Sequence, residues 1–232
     1  MPLTHITYNG EILDTFQRYE RLPDNEKKGE VWDSKSNDIC NIKKAIKDHY
    51  IIAQDYTCPY CKQRMEVNHN ASWDAEHIIP KKTHPRFVFE PLNLCVSCKD
   101  CNNEKRDKPV LVNNSRRTLP INSLDYTIVH PHFDDFSENI RVIDVAGYYL
   151  PLSDKGRKTI EVCGLLRFSY KYASYGNTSQ ENKETILELA NSLMEASSPA
   201  EENVYLGIIS DAARTGQKIS KEAFLKQKES NN

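Results

Sequence analysis

Two Cys-x-x-Cys pairs, Cys58-Pro-Tyr-Cys61 and Cys98-Lys-Asp-Cys101, stand 36 residues apart and limit what this chain can fold into more than any other feature. Two residues between cysteines let one tight turn aim both thiolates at a single ion. Two such turns complete a tetrahedral sulfur shell for structural Zn²⁺. A redox pair of this spacing needs a thioredoxin-like context, which neither pair has around it. The gap exceeds that of a zinc ribbon, so a substantial insert lies between the knuckles. Zinc binding is worth on the order of 10 kcal/mol in small zinc modules, enough to fold a stretch this polar. The other cysteines, Cys40, Cys95 and Cys163, are expected in the core. The chain's odd total of seven cysteines argues against a disulfide scaffold.

The remaining composition excludes several classes. With 232 residues, 38% of them hydrophobic and 28% charged, the chain is neither disordered nor collagen-like, and it is long enough for one or two domains. No apolar run approaches the ~18 residues of a membrane span. Met1 to Gly10 lacks the basic stretch and apolar core of a secretory signal, so a cytoplasmic location is expected. Net charge is −2, but it is uneven. Nine Lys/Arg against five Asp/Glu between Glu76 and Thr118 leave a local +4, and six against nine from Thr178 onward leave −3. Any polyanion-binding surface therefore belongs in the middle of the chain.

Ile12, Leu13, Phe16 and Tyr19 recur at helical spacing, and Ile39, Ile42, Ile46, Tyr50 and Ala53 form a second stripe with Asn37 or Asp38 as its cap. Residues 1–56 read as a helical N-terminal segment with a charged loop from Pro23 to Gly29. From 57 to 118, cysteines, prolines and short β-prone runs (Phe87 to Phe89, Leu94 to Val96) break any helical period. Residues 119–232 read as mostly helical after a short hairpin, in which Ile140 to Val145 and Tyr148 to Leu150 flank Gly147. Helices are expected from Ser153, from Ser179 and from Ser198-Pro199, with roughly the last dozen residues frayed.

Between the knuckles stand Trp73-Asp-Ala-Glu76-His77-Ile-Ile-Pro80 and Pro91-Leu-Asn93-Leu94, and Asn102-Asn103-Glu104-Lys105 follows the second knuckle. The order Glu-His-Ile-x-Pro, Asn-Leu, Cys-x-x-Cys-Asn-x-x-Lys resembles the HNH endonuclease family, in the variant with two zinc knuckles and Asn in place of the last His. The match spans about Cys58 to Lys108. Lys81-Lys82, Pro85-x-Phe87 and His130-Pro-x-Phe-Asp134 also look like HNH nucleases of bacterial phage-defence operons, of the Septu and retron-linked type. The resemblance implies an α+β fold: a ββα-metal HNH core with structural zinc over 57–118, flanked by helical N- and C-terminal segments.

Phosphodiester hydrolysis needs a deprotonated water in line with the leaving oxygen, a neutralised phosphate and a stabilised 3′ leaving group. His77 titrates near neutrality and can take the proton of the water. Glu76 precedes it in an extended strand end, so its carboxylate points the other way and can hold a divalent ion. The resemblance gives Asn93 the task of pinning the loop that carries His77. Asn102 reads as opening the helix after the knuckle, its carbonyl oxygen on the same ion as Glu76, with Asn103 the neighbouring alternative. Such a Glu/Asn site favours Mg²⁺ or Mn²⁺. Lys81, Lys82, Lys105 and Lys108, with Arg106, could clamp backbone phosphates; the plainer reading of each is a solvated charged face. His5, His49, His69, His84, His130 and His132 read as structural.

The expected function is a metal-dependent endonuclease cutting DNA as an effector of phage defence. Duplex DNA is favoured over single strands, since no aromatic and basic stacking platform is visible, and RNA is the weaker substrate. The alternative is a non-catalytic zinc module binding nucleic acid or a protein, with the Glu-His pair vestigial. No helix-turn-helix or finger array is present to read sequence, so activity is expected to be gated by a regulatory partner or a homo-oligomer.

Overall fold

A computed structural model describes residues 2–66, 72–144, 148–172 and 179–230. His69 and the hairpin turn at Gly147 lie outside the described residues. Helices with two small antiparallel sheets make this an α+β fold.

The two N-terminal stripes form α1 (Gly10–Glu20) and α2 (Asn37–Ala53). Ser36, rather than Asn37 or Asp38, takes the cap position of α2. Ile42, Ile46 and Tyr50 line its inner face without solvent contact, and burial of each such side chain contributes about 1.5–3 kcal/mol. Cys40 is exposed, which corrects its expected place in the core. It follows Ile39 by one residue, about 100° around the helix and off the apolar stripe. Cys95 and Cys163 are buried. Between α1 and α2, a turn at Gly29–Asp33 carries Trp32. A Cβ on Gly29 would lie 2.6 Å from the Lys81 carbonyl oxygen, so only glycine lets this turn rest against the loop after His77.

β1 (Trp73–His77) pairs antiparallel with β2 (Leu94–Cys98), Trp73 opposite Cys98 and His77 opposite Leu94. α3 (Lys99–Lys105) follows directly. Its cap is Cys98, whose sulfur accepts the Cys101 N–H, so the helix starts before Asn102 and places that residue mid-helix rather than at its opening. Phe87 to Phe89 is not extended: Pro85 and Pro91 each begin a short 3₁₀ turn. The loop is held by tyrosines of the N-terminal segment. Tyr19, Tyr8 and Tyr50 donate their hydroxyls to the carbonyls of Pro85 (2.8 Å), Phe89 (2.8 Å) and Pro91 (2.7 Å). The buried Phe89 carbonyl takes its donor from Tyr8, while the Pro85 and Pro91 carbonyls also close their turns on the Val88 and Leu94 N–H groups.

α4 (Phe136–Asn139) leads into the hairpin β3 (Ile140–Asp144) and β4 (Tyr148–Pro151), whose register shifts between Val142 and Asp144. α5 (Asp154–Val162) is capped by Ser153, which accepts the Gly156 N–H at 3.0 Å. These elements belong to one compact unit, Met1–Phe168; Ser169–Asn232 is a second. In the second, α6 (Gln180–Glu195) and α7 (Pro199–Ser230) pack on each other. Ser179 caps α6 and Ser198, before Pro199, accepts the Glu201 N–H at 3.2 Å. α7 continues to Ser230 where fraying was expected. Among the described residues no helix is long and apolar enough to cross a membrane.

Candidate metal centre and catalytic cleft

Cys58, Cys61, Cys98 and Cys101 are buried, and their sulfurs lie within 4.8 Å of one another. The Cys61 and Cys98 sulfurs are 3.8 Å apart. An ion about 2.3 Å from each of four tetrahedral sulfurs requires S···S separations of about 3.8 Å. These four side chains could therefore hold a metal ion. The first turn is closed by the Lys62 N–H on the Cys58 carbonyl (3.0 Å), with Lys62 in the left-handed region at φ 58°. Burial pushes the Cys58 thiol up, and hydrogen bonds with Cys101, Cys61 and Cys98 more than reverse this, so it ionises well below a free thiol.

Two residues that the sequence did not single out support this centre. Tyr149 of β4 donates its hydroxyl to the Cys61 carbonyl at 2.6 Å. Arg167 places Nη2 3.2 Å from the Cys101 sulfur while Nη1 donates to the carbonyls of Cys163 (2.7 Å) and Gly164 (2.9 Å). Its guanidinium is thus fixed by backbone on one side and supplies positive charge to a sulfur on the other.

Beside the centre, Glu76, His77, Asn102, Asp74 and Lys81 line an open cleft of about 390 Å³. His77 ends β1. Its Nε2 is 3.0 Å from the Val88 carbonyl, and since a carbonyl only accepts, Nε2 carries the proton and Nδ1 holds the lone pair. Among the described residues nothing engages Nδ1. The Trp32 ring meets the imidazole edge-on, centroids 4.5 Å apart. Burial pushes the His77 pKa down to about 3, with Lys81 and Lys105 adding to the effect against the Val88 bond, so the ring is neutral at pH 7.

Asn93 is fully buried. Its Oδ1 accepts the Ile79 N–H at 2.7 Å and its Nδ2 donates to the carbonyls of Ile79 (3.1 Å) and Phe87 (3.0 Å). One side chain thus joins the start of β2 to both ends of the loop after His77. Glu76 is buried with one carboxylate oxygen 2.6 Å from the Lys105 Nζ and 3.4 Å from the Tyr60 hydroxyl. Burial raises its carboxyl above the ordinary range, opposed by Lys105. Asn102 donates Nδ2 to Asp74 at 2.9 Å; Asn103 is exposed and outside the cleft lining.

The basic residues divide. Lys105 is wholly buried and Lys108 donates to the Val162 carbonyl at 3.0 Å. Lys81 pairs with Asp33 at 2.6 Å, and Lys82 is exposed, 3.9 Å from Asp107. Arg106, with Lys43 and Lys47 of α2, completes the cationic side of the cleft. The two α2 lysines stand four residues apart, a spacing that puts them on one helix face and was there to be read in the sequence.

Among the described residues these thiols are the grouping of three or more His, Cys, Asp and Glu side chains that could hold a metal ion. No family model matches the chain. It is similar to the Septu protein PtuB of Bacillus thuringiensis, 30% identical over 137 residues that make up 57% of this chain and 47% of that protein. The chain thus spans about half the length of the curated relative that it matches.

Proposed function

We propose that this chain is an HNH endonuclease that hydrolyses DNA phosphodiester bonds and serves as the effector of a phage-defence system, with structural zinc in the cysteine centre. The observation that carries the reading is the neutral, buried His77, its tautomer fixed by Val88 so that Nδ1 is the nitrogen left with the lone pair, in a cleft shared with Asn102. Support for the defence role comes from the similarity to the Septu protein.

His77 Nδ1 takes the proton of the attacking water as the new P–O bond forms and the P–O3′ bond breaks. Asn93 fixes the loop that ends at the Val88 carbonyl, so the imidazole is oriented before substrate arrives. Asn102 offers a hard oxygen ligand, and Glu76 is the acid of the motif. A Mg²⁺ or Mn²⁺ ion bound here supplies charge neutralisation at the phosphate and leaving oxygen. Lys81 and Lys82 hold flanking backbone of duplex DNA. A regulatory protein or a second copy of the chain gates the activity in the cytoplasm.

The test is nicking of supercoiled plasmid by zinc-loaded protein with Mg²⁺ or Mn²⁺, alone and with co-purified partners. His77→Ala should abolish nicking while keeping helix content and zinc. Equal nicking by wild type and variant would overturn the assignment. A second reading, a non-catalytic zinc module, is favoured by the engagement of Glu76 with Lys105; wild-type protein that never cuts under any partner condition would establish it.

A further inference from the structure

Along β1 alternate residues share a face, and both Asp74 and Glu76 turn toward α3. Their partners there differ. Glu76 commits Oε1 to the Lys105 ammonium, which has no solvent exposure, and drawing that oxygen off to ligate an ion would leave the cation buried without its carboxylate partner. Asp74 is half-buried, lines the cleft, and has the Asn102 amide against its Oδ2 at 2.9 Å. Adjacent ligands of an octahedral ion with bonds of about 2.1 Å are about 3.0 Å apart. Half a turn of the Asn102 amide about its last bond would put Oδ1 where Nδ2 stands, leaving two oxygens at that spacing with no backbone movement.

We propose that Asp74, three residues before His77, is the carboxylate that holds a hard divalent cation together with Asn102 Oδ1. Glu76 instead locks Lys105, which in turn donates to the His77 carbonyl at 2.8 Å and so acts on the strand end from behind. Two protein oxygens leave the remaining positions of the ion to water and to a phosphate oxygen, as suits Mg²⁺ or Mn²⁺. The site draws on the nuclease reading for the use of the ion and not for its existence.

The experiment titrates Mn²⁺ into zinc-loaded protein and follows free Mn²⁺ by electron paramagnetic resonance. Wild type should show one saturable site. Asp74→Asn should raise its Kd at least about tenfold, the scale on which support of a metal ligand is lost, and more than Glu76→Gln does. Should Asp74→Asn fail to fold, Asn102→Asp, which adds a second carboxylate, should tighten Mn²⁺ by at least about tenfold. A smaller change in either folded variant, a larger loss in Glu76→Gln, or no saturable wild-type site overturns the proposal. Plasmid nicking run alongside separates the two claims. Wild type that cuts while Asp74→Asn keeps its Mn²⁺ sinks the ion site alone, whereas Mn²⁺ held through Asp74 without any nicking sinks the nuclease reading alone.

Discussion

The Lys105 ammonium lies 2.6 Å from a Glu76 carboxylate oxygen where the two side chains are 0% and 4% exposed. With its second bond to the His77 carbonyl, it ties α3 to the last two residues of β1. An intact buried pair contributes little net stability, because desolvation of both ions offsets their attraction; breaking it leaves an uncompensated charge. Lys105→Met is expected to cost about 3–5 kcal/mol, read as a lower urea midpoint at unchanged zinc content. Adding Glu76→Gln should recover most of that loss. A double variant as unstable as the single one would place the cost elsewhere.

Legibility in the sequence followed locality. The thiol cluster was readable because two residues between cysteines fix a turn whatever surrounds it, and the stripe Ile42, Ile46, Tyr50 because burial on one face imposes a 3.6-residue period. Cys40, one position past Ile39, lies off that same period and is exposed. Phe87 to Phe89 has β-prone residues, yet tertiary hydrogen bonds from Tyr8 and Tyr19 hold that loop in turns. A helix start at Asn102 is what the usual vocabulary of serine and aspartate caps suggests, and the cysteine sulfur that caps α3 falls outside it. The partners of Asp74 and Glu76 depend on which turn of α3 lies over which residue of β1, and no spacing along the chain carries that. Arg167 meets Cys101 from 66 positions away and had no local signal at all.

Arg167 donates to Cys101 across that distance, and its charge would offset part of the negative charge of four thiolates holding a divalent ion. Loss of such an outer contact typically weakens metal affinity 10–100-fold. Arg167→Gln is therefore expected to release zinc to a chromogenic chelator at a concentration lower by at least about tenfold, and Arg167→Lys to fall between. Equal release from wild type and Arg167→Gln would mean that the guanidinium is a packing residue only.

Lys43 and Lys47 extend the cationic wall of the cleft beyond the motif region. If the cleft receives a DNA backbone, replacing both by Gln removes two phosphate contacts. The slope of log K against log salt should then flatten by about 1.8, since each contact accounts for about 0.9 on duplex DNA. Lys44→Gln is the comparison, because that ammonium lies on Asp48 at 2.6 Å, away from the cleft. Fluorescence anisotropy of a labelled duplex across a salt series measures all three. A slope unchanged in the Lys43, Lys47 variant would remove α2 from the binding surface.

His77 and His130 both enter the fold as neutral rings. Burial holds His77 at about 3 and pushes His130 well below its ordinary value, with His132 and Lys155 adding to the latter. His130 Nδ1 accepts the His132 N–H at 3.2 Å, so Nε2 carries the proton, buried and without a partner among the described residues. Both folded pKa values lie below the unfolded value of about 6.5. Their contribution is therefore complete above pH 6.5 and is lost as the pH falls, because the unfolded chain takes up the protons first. Between pH 7.5 and 5.5 each ring is expected to cost about 1.4 kcal/mol of stability. Urea unfolding at each pH, restricted to the range where bound zinc stays constant, checks the sum. His130→Asn should remove about 1.4 kcal/mol of the wild-type loss, to which His132 and His84, also lowered by burial, add; a variant with the full wild-type slope would mean that His130 titrates alike in the folded and unfolded protein.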